Sequence, residues 1–260
     1  MKPRDTDREP EAIIRVEAFR AAYKGRTVLE NVNFEVRPGE VLVIAGGSGC
    51  GKSTMMKHMI GLYIPAAGRI LIDGDDIHAA TGRDRARILR KFGVAYQGGA
   101  LFGGLTVLEN VCLPMEEFTD LPPEMRSMIA LAKLRLVGLE EAAQRMPSEL
   151  SGGMQKRAAL ARAIALDPQI VFLDEPSAGL DPITSAGLDQ LILNLKRMLN
   201  MTFVLVTHEL QSIFTVADRV VVLDARTRTV VAVDEPEALR DASPDPQVRA
   251  FFNRQATEIA

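Results

Sequence analysis

The sequence predicts an α/β fold with a mostly parallel sheet, an antiparallel β subdomain and an inserted helical subdomain. Three observations predict it. Short continuous apolar runs recur at Val41–Ala45, Ile170–Leu173, Phe203–Val206 and Val220–Leu223, the mark of strands buried on both faces. Helix-period segments alternate with the later runs. From Gly98 to Gln144 no such run occurs, and Met, Leu and Ala at helical spacing dominate after Pro122-Pro123. With the helix that follows, this places the inserted helical subdomain at about 98–166.

The elements follow in order. Residues 1–11 are mostly charged and read as a flexible N-terminal arm with no apolar core of a signal peptide. Ile13–Phe19 and Val28–Val36 alternate as strands of an antiparallel sheet, and Arg37–Glu40 turns at Pro38 and Gly39. After the Val41–Ala45 strand comes a Gly-rich loop and a helix from about Lys52 to Ile60, ended by Gly61. Arg69–Ile72 is a strand before an Asp73-Gly74 turn, Arg83–Lys91 a charged helix and Gly93–Tyr96 a strand. Helices at about Gly153–Leu166, Pro182–Leu199 and Leu210–Ala217 alternate with the strands Ile170–Leu173 and Thr202–Val206. The pair Arg219–Leu223 and Thr229–Val233 completes the core. Residues 12–240 form the main domain and 241–260 a C-terminal extension. Its apolar Val248, Phe251 and Phe252 suggest docking.

Composition bounds the function. The 260 residues exceed the roughly 150 of a typical domain, so one large domain, or one with an insert, is expected. A net charge of −3 lacks the positive field of a dedicated nucleic-acid binder. The basic run Arg83, Arg85, Arg87, Arg90 and Lys91, interrupted by Asp84, reads as a solvated helix face. Only two cysteines occur, Cys50 and Cys112, in no pair with metal-ligand spacing, which fits a reducing compartment. No apolar stretch reaches the roughly 18 residues of a membrane span, so any spanning falls to another chain.

Residues 46–54 read GGSGCGKST, the G-x-x-x-x-G-K-[ST] pattern of a phosphate loop (Walker A). Its amides must turn inward onto phosphate oxygens, which small residues permit. Gly46, Gly47, Ser48, Gly49, Cys50, Gly51, Lys52, Ser53 and Thr54 are therefore nucleotide-binding candidates. Lys52 adds a point charge, the helix it opens directs its positive end at the phosphates, and the Ser53 hydroxyl suits Mg²⁺. Cys50 sits near a helix N-terminus, which lowers a thiol pKa. Alkylation there would block the nucleotide, unless Cys50 is only a small residue that fits. Residues 170–175 read IVFLDE, so Asp174 and Glu175 end a strand at the carboxyl edge of the sheet, where open α/β folds bind ligands. Asp174 suits Mg²⁺ through water, and Glu175 suits proton abstraction from an attacking water.

Residues 150–155 read LSGGMQ, directly before a helix. Ser151 offers a hydroxyl and Gly152 and Gly153 bare amides, so this is a second anion cradle. With the two motifs above, the chain resembles the ABC-type ATPase family, whose signature is L-S-G-G-x-Q, over roughly residues 12–240. The resemblance implies the ABC ATPase fold on a P-loop NTPase core, with ATP and Mg²⁺ bound. It also implies a homodimer in which each signature faces the γ-phosphate held by the other copy. Tyr23 falls where the family places an adenine-stacking aromatic, a core tyrosine being the alternative. Gln97 looks like the glutamine that reaches Mg²⁺ and the water, and Ser177–Asp181 like the loop that signals between subunits. His208 looks like the histidine on the γ-phosphate. Catalysis is thus expected of Glu175, His208, Gln97 and Lys52, and metal binding of Ser53, Gln97 and Asp174. Gly47 departs from the proline of many relatives, which adds chain entropy to the loop.

The signature, and the lack of an N-K-x-D motif, exclude a kinase or GTPase. A soluble ABC protein acting on DNA or ribosomes usually needs a coiled coil, zinc cysteines or tandem cassettes, none of which is present. A transporter motor remains. The apolar Ala100–Phe102 and Leu105–Val107 suit a groove for a helix of an integral membrane permease. Gly99-Ala-Leu-Phe102, Asp181-Pro-Ile-Thr184 and the end Pro246–Asn253 resemble the ATPase of the Mla (MCE-type) phospholipid transporters of Gram-negative envelopes. That resemblance implies a peripheral place on the cytoplasmic face of the inner membrane. It further implies an MCE lipid-binding protein and a STAS-domain protein as partners, and a tail that reaches the neighbouring subunit. The alternative is an ABC motor for another small solute, such as an amino acid.

Overall fold

A computed structural model describes residues 12–255. The arm expected at 1–11 and the last five residues of the extension lie outside the described residues.

Alternating apolar residues form two long antiparallel strands, β1 (Ile14–Tyr23) and β2 (Arg26–Val36). Their turn places Lys24 and Gly25 at φ +48° and +79°, the geometry that matches strand twist. There follow β3 (Val41–Gly46), α1 (Lys52–Met59), β4 (Ala67–Ile72), β5 (Asp75–Asp76), α2 (Gly82–Leu89) and β6 (Phe92–Ala95). Next come α3 (Val107–Phe118), α4 (Pro123–Leu136) and α5 (Gly152–Ala163), the last two separated by short 3₁₀ turns at Glu140–Ala142 and Pro147–Glu149. The chain continues through β7 (Ile170–Asp174), α6 (Pro182–Leu199), β8 (Thr202–Val206), α7 (Leu210–Val216), β9 (Arg219–Asp224) and β10 (Thr229–Asp234). Two short helices, α8 (Pro236–Asp241) and α9 (Pro246–Phe252), end it.

Two sheets result. One is antiparallel, in the order β2-β1-β4-β5. The other has the order β10-β9-β3-β8-β7-β6, parallel except for β10. β3 is wholly buried, as its continuous apolar run predicts. Val41, Val43 and Ala45 enter the core shared with α3–α7 and the tail, and Leu42 and Ile44 the core shared with α1 and the antiparallel sheet. Each Val, Leu or Ile among them contributes about 1.5–3 kcal/mol. The two sheets are also joined directly: the Glu30 amide donates to the Arg228 carbonyl at 2.8 Å.

Most expected elements fall within a few residues of their places, and α6 and β8 match to the residue. The helix expected to reach Leu166 stops at Ala163, because Ile164 leaves helical geometry (ψ 10°). The two-residue β5 and the helices α8 and α9 were not expected as elements. α9 exists because Asp245 caps it, accepting from the Gln247 amide at 2.8 Å, and Pro246 opens its first turn. Val248 and Phe252 are buried, the latter edge-on to Phe214 at 6.0 Å between centroids. Up to Gln255, then, the tail packs against its own chain. The basic side chains around α2 are engaged locally: Lys91 with Asp73 and Asp75, Arg87 with Asp75, and Arg85 with the carbonyls of Ile77 and Gly61.

Candidate functional site

Four neighbouring strands, β3-β8-β7-β6, deliver the site. At or just beyond their carboxyl ends stand the phosphate loop, Thr207-His208, Asp174-Glu175 and Gln97 respectively. The phosphate loop begins at Gly46, where φ is +142° and a Cβ would lie 2.2 Å from the Leu223 carbonyl oxygen. Only glycine fits. Gly47, Ser48 and Gly49 are exposed, and Ser53 is exposed in the first turn of α1. Lys52 Nζ donates to the carbonyls of Gly46 (2.9 Å) and Gly47 (3.1 Å), so its charge lies across the cradle.

Of the two readings of Cys50, a reactive thiol and a small residue that fits, the structure favours the second. Cys50 is buried, and that burial pushes its thiol pKa up, against the pull of the neighbouring Lys52 ammonium. Desolvation outweighs the helix end here, so the thiol is not activated.

Asp174 and Glu175 end β7 with different surroundings. Burial, then the negative charge of Glu175, raises the Asp174 pKa, opposed by Lys57, Lys156 and Lys52. Asp174 Oδ1 is buried and finds no hydrogen-bond partner among the described residues. Glu175 has φ +45°, a backbone conformation that costs about 1–3 kcal/mol and re-aims the side chain. Its amide still donates to the Val206 carbonyl at 2.8 Å, which keeps it tied to β8. Glu175 Oε1 lies 2.8 Å from His208 Nδ1, and Oε2 accepts from the Thr207 hydroxyl at 3.2 Å. Lys156 Nζ, from the middle of α5, donates to the Glu175 carbonyl at 3.1 Å. The structure therefore joins Glu175 and His208, which lie 33 residues apart in sequence. Thr207 and Lys156 were not anticipated. A threonine directly after the apolar run Phe203–Val206 was the available signal for Thr207, and Lys156 had none.

Gln97 is exposed in a turn two residues beyond β6 rather than at its end. The segment after it is held firmly. Arg162 donates to the carbonyls of Gly99 and Ala100, both at 2.8 Å. The fully buried Asn110 accepts from the Phe102 amide at 2.7 Å and donates to the carbonyls of Phe102, Leu105 and Thr106. Phe102 is left 60% exposed on this fixed loop. Tyr23 ends β1 with its ring partly exposed. Partial burial raises its phenol pKa, while a hydrogen bond with the Thr54 side chain lowers it.

Ser151 caps α5 by accepting from the Met154 amide at 3.3 Å. Ser151 and Gly152 are exposed, whereas Gly153 is buried. A Cβ on Gly153 would lie 2.5 Å from Thr184 Cγ2. The second glycine thus serves close packing of α5 on α6, a need the anion-cradle reading did not include. Thr184 is fixed in turn by Asp181, the cap of α6. Among the described residues no hydrogen bond links Ser151–Gly153 to the phosphate loop of the same chain.

A parallel sheet carrying a phosphate loop, an acid pair and a histidine along one edge, with a glycine-rich helix head apart from them, defines a nucleotide-hydrolysing cassette. The ABC transporter family profile matches residues 29–178, and the chain belongs to that family. It is the ATP-hydrolysing subunit of an ABC transporter. Among curated relatives, the intermembrane phospholipid transport system ATP-binding protein MlaF of Haemophilus influenzae is 43% identical over 193 residues, 74% of this chain and 73% of that one. The probable ribonucleotide transport ATP-binding protein mkl of Mycobacterium leprae is 39% identical over 240 residues, 92% of this chain and 68% of that one. Among solved structures, the ATP-binding cassette MJ0796, a dimer in a post-hydrolysis state bound to ADP and Pi, superposes with a TM-score of 0.76. It is 32% identical, covering 85% of this chain and 98% of that one.

Proposed function

We propose that this chain powers phospholipid movement between the membranes of a bacterial envelope, two copies closing on ATP beneath a permease. The hydrolytic part rests on one observation above all: Glu175 Oε1 lies 2.8 Å from His208 Nδ1 at the sheet edge that carries the phosphate loop. Lys52 and the loop amides bind the phosphates, and Tyr23 stacks on the adenine. Glu175, oriented by Thr207 and His208, takes the proton of the attacking water as its oxygen bonds to the γ-phosphorus and the bond from that phosphorus to the β,γ-bridging oxygen breaks, so that ADP leaves with the bridging oxygen and phosphate is released. His208 and Lys52 counter the charge that spreads over the γ-phosphate oxygens. The buried, unpartnered Asp174 Oδ1 fits a divalent cation. With Ser53 and Gln97, Asp174 would hold Mg²⁺, which supplies charge neutralisation for the β- and γ-phosphates.

The exposed Ser151 and Gly152 support a signature that serves a second copy's nucleotide. The dimeric state of the MJ0796 cassette supports the same arrangement. Phe102, presented on a loop fixed by Asn110 and Arg162, suits a permease helix. The cargo reading rests on likeness to the MlaF relatives, and the same likeness suggests MCE and STAS-domain partners at the cytoplasmic face of an inner membrane. The mkl relative, named for ribonucleotide transport, favours a second reading, in which the cargo is another small solute. Purification of the complex from membranes tests the choice. Bound phospholipid with an MCE protein supports the first reading, and a solute receptor without lipid refutes it.

A further inference from the structure

The turn between α1 and β4 leaves three apolar residues in solvent: Leu62, Tyr63 and Ile64 are 57%, 43% and 82% exposed. Tyr63 is the member with a defined partner. Its ring stands at 84° to that of Tyr23, with centroids 5.7 Å apart, the edge-to-face geometry that aromatic quadrupoles favour. The buried His58 lies beneath both, 6.2 Å from Tyr23 and 5.8 Å from Tyr63, and edge-on to Phe19 at 5.0 Å.

This corner is indexed to the phosphate loop. His58 Nδ1 donates to the Thr54 carbonyl at 2.8 Å, which fixes the imidazole to the first turn of α1. The far end of the same helix sets Tyr63: the Gly61 amide donates to the His58 carbonyl and the Leu62 amide to the Lys57 carbonyl. Arg85 clamps the Gly61 carbonyl from α2 at 2.8 Å. One helix of eight residues therefore fixes both the phosphate cradle and the ring that abuts Tyr23.

We propose that Tyr63 is a positioning residue for the nucleotide base: it packs at right angles to Tyr23 and fixes that ring, so that Tyr23 meets the adenine at a set distance from the phosphates. This rests on the reading of Tyr23 as the base platform. Binding of ATP and of inorganic tripolyphosphate to the purified full chain separates the two ideas. Tyr63→Ala is expected to weaken ATP about threefold to tenfold, the scale of one edge-to-face pair, and to leave tripolyphosphate unchanged. Tyr63→Phe, which keeps the ring, is expected to retain wild-type ATP affinity. Tyr63→Ala binding ATP as wild type overturns the proposal. So does an equal loss for ATP and tripolyphosphate, which would make Tyr63 a support of the phosphate loop. Tyr23→Ala serves as the control. If it does not weaken ATP relative to tripolyphosphate, the base-platform reading itself fails and the proposal falls with it.

Discussion

Glu175 shows how far one side chain depends on its neighbours. Its left-handed backbone, its bond to Thr207 and its contact with His208 hold the carboxylate in one place. Glu175→Gln keeps the shape and removes the base. It is expected to bind ATP normally and to lose at least about a hundredfold in turnover; near-normal steady-state hydrolysis would remove Glu175 from that role. Asp189 gives a second test. It is buried on α6, accepts from the Ser212 hydroxyl at 2.9 Å, and leaves Oδ1 without a partner among the described residues. Burial raises its pKa from 3.8 to about 6, Ser212 opposing and Glu209 adding. A raised carboxyl pKa favours the folded state fully below the unfolded value, and that favour is lost as pH rises through the folded one. Wild-type stability should thus lose this contribution between about pH 4 and 6. Asp189→Asn should abolish that slope and be more stable by about 2 kcal/mol at pH 7.5. Parallel denaturation profiles for the two proteins would count against it. The phosphate loop and the acid pair were legible because their spacing is local. Asp189 and Lys156 were not, since their partners come from other strands and helices.

At the scale of elements, α5 and α6 meet with almost no clearance at Gly153 and Thr184. Gly153→Ala is expected to cost about 1–3 kcal/mol through overpacking and to depress ATPase activity. Thr184→Ser removes the offending methyl, keeps the hydroxyl that donates to Asp181, and should restore most of both losses. Failure of the double variant to recover would place the cause elsewhere than this contact. The sequence showed the glycines and the helix after them. It did not show that a residue of the next helix sets the size limit, because that contact exists only once the sheet brings α5 and α6 together. The buried strands were legible from continuous apolar runs, whereas α8 and α9, at six and seven residues, were not read as helices.

For the whole molecule, the tail is a stabilising part. Val248 and Phe252 are buried against the main core, and α9 lines a cleft of about 320 Å³ beside Gly46, Gly47 and Leu223. Deleting residues 241–260 should lower stability by about 3–6 kcal/mol, the burial of those two side chains, seen as a lower thermal midpoint. An unchanged midpoint would show that α9 does not dock. The resemblance also implies weaker dimerisation on this deletion, to be measured well below the new midpoint. A last consequence concerns α5, which carries Ser151 at its head and, through Lys156, grips the carbonyl of Glu175. It is a stiff rod with one end on the outer surface and its waist at the reaction centre. In the proposed closed pair, each rod would touch its sister's triphosphate while bracing its own base, so neither copy would fire without feeling the other's load.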